Sequence, residues 1–418
     1  MAILTTSSGS TYLLPDFPGI LYLHRPASRV MIVCRASQCR PTSSKVAWYS
    51  RAACTYVSAT LHLCAKGLTT VQHTVCDGIG NFIFYTTLAQ HMSAAIAGRN
   101  PPRASDASAS LINRECVTIP ELDVKLDEFP NWKRVSDHTA FLDPCDFRPE
   151  EYPRVQYATY HVSEANLRRL KQKAVEDGAK VSTIETLCAF LWMHTVRARD
   201  IDSAAYPEAK LSITVDTRAR MKGPRCSPSY WGNLSEPNAV SVRLEKRSVH
   251  SLISVKVARM PTHRFSNELG AHSHLARPES QLEPIPLSTL STAASRIKSA
   301  IAAVDSTAVR RLVGIINQMN KCTSLTWNVD RWPGPDMLIV CVNSMKFNDI
   351  DFDPLLGCSE AFRFTIGDTE GKPDGRCLIL PPRSRDGNGV EVMLQHDVDT
   401  LQRLKNCAEF REFLEWRN

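Results

Sequence analysis

Gln72-His73-Thr74-Val75-Cys76-Asp77-Gly78-Ile79-Gly80 is the stretch on which the reading of this 418-residue chain turns. His73 and Asp77 stand four apart, Gly78 follows, and an apolar run from Phe82 to Met92 comes directly after. His-x-x-x-Asp-Gly joins an imidazole that can take a proton near neutral pH to a carboxylate that can fix the loop carrying it, and adds a glycine for a sharp bend. Phe82, Tyr85, Leu88, Ala89, Met92 and Ile96 recur at helical spacing, so a helix is expected over 82–96.

Working outward, Tyr56 to Cys64 and Leu68 to Gln72 read as strands, the second delivering His73. Residues 1–60 are rich in Ser, Arg and Cys, are broken by Pro15, Pro18, Pro26 and Pro41, and show no clean period. Prolines also crowd 98–153, an expected irregular connection anchored by Trp132 and Phe141. Arg154 to Val162 alternates like a strand, and Glu164 to Asp177 reads as a helix stopped at Gly178. Ser182-Thr-Ile-Glu185 has the form of a capping box opening an apolar helix to Arg199, with His194 on its inner side.

In the second half, strands are expected at Leu211 to Val215, Ala239 to Leu244 and Met337 to Val342. A meander is expected from Ala361 to Ile366, Arg376 to Pro381 and Val390 to Leu394, its last turn at Asp386 to Gly389. Helices are expected over 289–304, 306–321 and 397–416, and 260–288 reads as a surface loop. The alternation describes an α/β chain in two halves, with domains at 1–205 and 206–418.

At 46.6 kDa, with 43 % hydrophobic and 22 % charged residues, the chain has a globular composition too long for one ordinary core. The net charge of +7 is scattered, without a basic block interleaved with aromatics, so a nucleic-acid partner is not expected. A surplus of Lys and Arg remains compatible with a phosphorylated co-substrate such as coenzyme A. The 14 cysteines are spread over too long a chain for a disulfide scaffold. The opening Met1-Ala-Ile-Leu-Thr-Thr-Ser-Ser lacks the basic start and apolar core of a secretion signal. No apolar run approaches the ~18 residues of a membrane span. Reduced thiols, a cytoplasmic location and no membrane contact are therefore expected.

Four blocks in order carry a specific resemblance. His73-Thr-Val-Cys-Asp77-Gly78 resembles the active-site motif of the BAHD-type coenzyme-A-dependent acyltransferases, and Asp351-Phe-Asp-Pro-Leu-Leu-Gly357 resembles their second signature, Asp-Phe-Gly-Trp-Gly, in a form associated with fungal members. Between them, Val215-Asp-Thr-Arg218-Ala-Arg220 with Tyr230-Trp-Gly-Asn233 resembles the middle block, and Ser182 to Trp192 the helix before it. The trichothecene acetyltransferases are among the fungal relatives. The resemblance implies two chloramphenicol-acetyltransferase-like α/β domains, with mixed sheets flanked by helices and a channel at their interface. Acyl-CoA as co-substrate would enter by one mouth, and a small alcohol (or, less readily, an amine) by the other. No bound cofactor and no metal are implied, and a monomer is expected.

On that reading His73 is the general base, acting directly in a ternary complex without an acyl-enzyme. Asp77 has two readings: a triad partner orienting the imidazole, or a structural acid paired with an arginine, for which Arg218 is named. Asp351, Gly78 and Gly357 are read as architectural. Asn343, Ser344 and Asn233 are candidates to line the channel or to donate to the tetrahedral oxyanion. Asp353 replaces a family glycine, and Met345 stands where tryptophan is usual. The family also carries a first strand, a first helix and a Tyr-Pro-x-Leu-Ala-Gly-Arg-like segment that are not found in 1–60, so the first domain is expected to be truncated. An idle paralogue or metabolite-binding protein is the alternative function. A zinc site from His62, Cys64, His73 and Cys76 is a further reading, though the spacing is not that of a standard finger. Peptide-forming condensation domains share the motif but usually with two histidines, and Gln72 stands in place of the first.

Overall fold

The structure, a computed structural model, describes residues 76–100, 117, 124–134, 155–222, 226–243, 287–319, 325–331, 334–352, 357–362 and 375–417, with the backbone of six strands ahead of residue 69. Those strands are β1 (Ala2–Thr5), β2 (Thr11–Leu14), β3 (Ile20–His24), β4 (Val30–Arg35), β5 (Ala59–His62) and β6 (Lys66–Leu68), hydrogen-bonded in the order β2-β1-β3-β4-β5-β6. Residues 1–60, which show no clean period, nevertheless carry the first four of these strands and the start of the fifth. Pro15, Pro18 and Pro26 fall between strands rather than inside them, and strands this short display too few residues to reveal a period of two. The strand expected to deliver His73 lies largely outside the described residues.

The main body is a seven-stranded mixed sheet. A separate ribbon pairs β7 (Trp132–Arg134) with a later strand, β11 (Leu325–Trp327). The sheet itself contains β8 (Val155–Ser163), β9 (Glu208–Asp216), β10 (Ser235–Arg243), β12 (Met337–Cys341), β13 (Arg376–Leu380), β14 (Gly389–Asp397) and β15 (Glu415–Trp416), in the order β10-β9-β12-β13-β14-β8-β15. The central trio β9, β12 and β13 is parallel, and every other pairing is antiparallel. One strand from ahead of residue 205 thus shares a sheet with those behind it.

Among the described residues seven α-helices accompany these strands: α1 (Gly78–Ile96), α2 (Glu164–Glu176), α3 (Thr183–Arg199), α4 (Leu287–Ala303), α5 (Ser306–Gln318), α6 (Val398–Asn406) and α7 (Ala408–Phe413). Alternation along the strands separates two faces. Cys377 and Ile379 of β13, with Ile339 of β12, enter the large core built on α2, α3, α4, α6 and α7. Leu378 and Leu380, one step out of phase, meet Val342, Met393 and Ala89 of α1 on the opposite face. The sheet is therefore a middle layer, and α1 lies alone among the described helices in that second cluster.

Local chemistry explains where the elements begin. The Ser182–Glu185 capping box is formed: Glu185 N donates to Ser182 Oγ at 3.2 Å and Ser182 N to Glu185 Oε2 at 2.6 Å. α1 starts at Gly78 rather than Phe82 because Asp77 caps it, accepting from Gly80 N at 3.0 Å. Ile96, expected on the buried face, is 43 % exposed in the last turn. β10 begins four residues earlier than expected and includes Pro237, which an edge strand tolerates because the missing N–H interrupts only one ladder. The single helix expected over 397–416 is instead two short helices broken at Cys407 (ψ 118°), followed by β15 pairing with β8. That break turns the chain so that Phe410 and Phe413 reach the core.

Candidate functional site

The site is assembled around the N-terminal end of α1. Asp77 and Arg218 are each 3 % exposed. Arg218 Nη1 donates to Asp77 Oδ2 at 3.0 Å and Nη2 to Asp77 Oδ1 at 2.8 Å, a bidentate pair joining residues 141 apart in sequence. The remaining donors of the guanidinium reach Asp216 Oδ1 (2.7 Å), Tyr230 O (2.9 Å) and Gly232 O (2.7 Å). All five donors of the fork are used. Burial works against the charge, yet the bonds to Asp77 and Asp216 outweigh it and raise the arginine's pKa.

Asp77 is equally committed. Oδ1 accepts from Gly80 N and Arg218, and Oδ2 accepts from Leu234 N at 2.9 Å and Arg218. An ionised carboxylate has about four acceptor sites, so none is left over for an imidazole. The structure joins Asp77 to the arginine and fills the rest of its carboxylate with the N–H groups of Gly80 and Leu234.

Gly78 has an ordinary helical backbone rather than the sharp bend expected of it. Its role is space: a Cβ there would lie 3.2 Å from Met345 Cε and 3.4 Å from Val342 Cγ1. Gly80 is tighter still, because a Cβ would sit 2.2 Å from Trp231 O and 2.5 Å from Cys76 Cβ. Sequence reasoning missed Gly80 and also Asp216, although Asp216 stands two before Arg218. The signal was present as Gly-x-Gly and Asp-x-Arg, but their partners come from other segments.

His73 lies outside the described residues, as do Asp353 to Leu356. Asn343 and Ser344 occupy a turn closed by Met345 N donating to Val342 O at 3.0 Å, directly after β12 and against Gly78. Asn343 is half-buried and Ser344 exposed, in a turn rather than on a strand. Asn233 is exposed on the loop that feeds Leu234 to Asp77. Asp351 forms an isolated antiparallel bridge with Cys358, and Phe352 N donates to Gly357 O at 3.2 Å. Gly357 has φ +68° with open space around it, so this glycine serves the turn.

Arg220, the second arginine of its block, donates from Nη1 to Ile301 O (2.7 Å) and Val304 O (2.8 Å) at the end of α4. A cation at a helix C-terminus satisfies carbonyls that have no partner within the helix. Cys76 is fully buried, and burial, with the Asp77 charge adding, pushes its thiol up to about 12. It donates to Asn81 Oδ1 at 3.6 Å. The side chains of His62, Cys64 and His73 lie outside the described residues. Cys76, Cys188, Cys341, Cys358, Cys377 and Cys407 are free thiols, while Cys226 is disulfide-bonded, against the expectation of fully reduced thiols. Among the described residues no helix is long and apolar enough to cross a membrane.

Comparison with known proteins places this geometry. The chain is 24 % identical over 355 residues to the acyltransferase easC of Emericella nidulans, covering 82 % of this chain and 65 % of that protein. It is 27 % identical over 271 residues to the eremophilane O-acetyltransferase prx11 of Penicillium rubens, covering 63 % and 48 % respectively. It thus spans 65 % or less of the length of these relatives. Among solved structures, TRI101 of F. graminearum complexed with coenzyme A and T-2 mycotoxin aligns with a TM-score of 0.59 at 18 % identity, over 83 % of this chain and 66 % of that one. The fold is the same, chloramphenicol-acetyltransferase-like α/β with a mixed sheet flanked by helices. A model of the Transferase family matches residues 67–275, half of the sequence, including the Asp77 and Arg218 segments, and the chain belongs to that family of BAHD-type acyltransferases.

Proposed function

We propose that this protein moves an acyl group from coenzyme A to a hydroxyl of a small secondary metabolite, by direct transfer in a ternary complex with His73 as general base. The observation carrying this reading is the Asp77–Arg218 pair. It fixes the end of the His-x-x-x-Asp-Gly loop and saturates the carboxylate, leaving the imidazole as the loop's group for proton transfer. The relatives named as acyltransferase and O-acetyltransferase support the reaction class, and the complex of TRI101 with coenzyme A supports the co-substrate.

In this reaction His73 takes the acceptor O–H proton as the oxygen attacks the thioester carbonyl. The tetrahedral oxyanion takes hydrogen bonds from donors on the flanking turns, for which Asn343, Ser344 and Asn233 are the candidates. Collapse breaks the C–S bond, and the leaving thiolate takes the proton back from the imidazolium. Asp351 and Gly357 would shape the loop that frames the channel. We further propose a cytoplasmic monomer.

Release of free coenzyme A from acetyl-CoA, scanned over terpenoid alcohols, tests the reading. His73→Ala is expected to lower turnover by about 10²–10⁴-fold, the usual contribution of a general base, at unchanged melting temperature. Asp77→Asn is expected to lower the melting temperature first, because an amide N–H₂ would face the donors of Arg218 and Leu234. Turnover retained in His73→Ala would end the base assignment. No release by the parent protein with any donor would favour metabolite binding.

A further inference from the structure

Three cysteines converge on the helix-covered face of the sheet, away from Cys76. Cys188 lies in the middle of α3, Cys341 ends β12, and Cys377 lies on the neighbouring strand β13, all three being free thiols. Cys188 Sγ and Cys341 Sγ stand 3.9 Å apart, joining residues 153 apart in sequence. A disulfide needs a separation of about 2.05 Å, so closure requires the two sulfurs to approach by about 1.9 Å. Cys188 and Cys377 are buried, whereas Cys341 is half-exposed.

We propose that Cys188 and Cys341 are a redox pair that closes to a disulfide under peroxide and clamps the strand leading into the candidate site. Cys341 is the entry point, because it alone of the three is reached by solvent. Its sulfur attacks one peroxide oxygen, the O–O bond breaks, and a sulfenic acid and water result. The Cys188 sulfur then attacks the sulfenic sulfur, forming the S–S bond and expelling a second water. Two thiols and one hydrogen peroxide thus become one disulfide and two waters. Its hydrogen bond to Cys341, together with burial, holds Cys188 well above the ordinary thiol range. Cys188 is therefore the resolving partner rather than the first nucleophile.

The location gives the bond a consequence. Val342, the next residue after Cys341, packs against Gly78, and Asn343 and Ser344 follow in the turn. A covalent tie between α3 and the end of β12 would set the position of that turn relative to α1. The bond stands independently of the acyl-transfer reading, and only its effect on turnover rests on that reading.

The experiment treats the full-length protein with hydrogen peroxide, unfolds it in guanidinium chloride with an alkylating agent present to block the remaining thiols, and maps linkages by peptide mass spectrometry without reduction. A peptide joining Cys188 to Cys341 is expected, with the loss of two alkylatable thiols relative to untreated protein and recovery of both on adding dithiothreitol. Cys377→Ala should form the same link, and Cys341→Ala should form none. Should Cys341→Ala fold poorly, the parent protein and Cys377→Ala decide the matter alone. A link from Cys341 to Cys377, or alkylation of both Cys188 and Cys341 after oxidation, overturns the proposal. Coenzyme A release before and after oxidation is read separately, so an inactive parent leaves the linkage result intact.

Discussion

At the residue scale the site depends on two glycines that serve different neighbours. The Cβ of Gly80→Ala would meet the backbone carbonyl of Trp231 at 2.2 Å, and backbone held in the Asp77–Arg218 loop has little freedom to retreat. The Cβ of Gly78→Ala would meet the end of a flexible Met345 side chain at 3.2 Å, which can turn aside. Gly80→Ala is therefore expected to destabilise by about 1–3 kcal/mol, as overpacking does, and Gly78→Ala by clearly less. Urea unfolding of both variants checks the order, and equal midpoints would contradict it. The Asp77–Arg218 partnership could be named ahead of the structure only because the two motif blocks resemble those of the family. The demand for Gly80 could not, since Trp231 O lies 151 residues further along the chain.

At the element scale the edge strand β10 carries a buried acid two residues beyond the Leu234 N–H that holds Asp77. Glu236 is 8 % exposed, its Oε2 has no hydrogen-bond partner, and burial, with the charge of Asp305 adding, raises it from 4.5 to about 7. A raised folded pKa means that this group's contribution to stability is fully present below 4.5 and is lost as pH rises through 7. The loss approaches about 3 kcal/mol above pH 7, at 1.36 kcal/mol per unit. Glu236→Gln should remove this slope, leaving the variant more stable than the parent at about pH 8. Parallel unfolding curves across pH 5 to 8 would refute it. Caps and short breaks at this scale divide by cause. The Ser182–Glu185 box is local chemistry and was legible, whereas the start of β10 follows its full register with β9 and needed the partner strand.

At the scale of the whole molecule the C-terminus returns to close the sheet, with β15 on β8 and α7 against α3. His194 of α3 is fully buried in that closure, its ring 5.6 Å from Phe410, and Cys407 Sγ lies 3.7 Å from its Nδ1. Burial, aided by Arg197 and Lys173, lowers its pKa from 6.5 to about 3, although Glu409 stands 3.5 Å away. Desolvation outweighs that carboxylate, and the ring is neutral in the folded protein. The sign is opposite to that of Glu236. Stability is present above 6.5 and is lost as pH falls toward 3, reaching about 2 kcal/mol at pH 5. His194→Leu should flatten this acid limb whatever its effect at neutral pH, and an unchanged slope between pH 6.5 and 4 would dismiss the assignment. The sequence by itself determined the α/β class, most helices, the strands of the main sheet apart from β15, and the order of the motif blocks, because periodicity, caps and turns act over a few residues. Only the tertiary structure decided which groups Asp77 binds, why Gly80 must lack a side chain, and that the last residues form a strand. Each of those depends on a partner more than a hundred residues distant, brought near by the layering of helices on the two faces of one sheet.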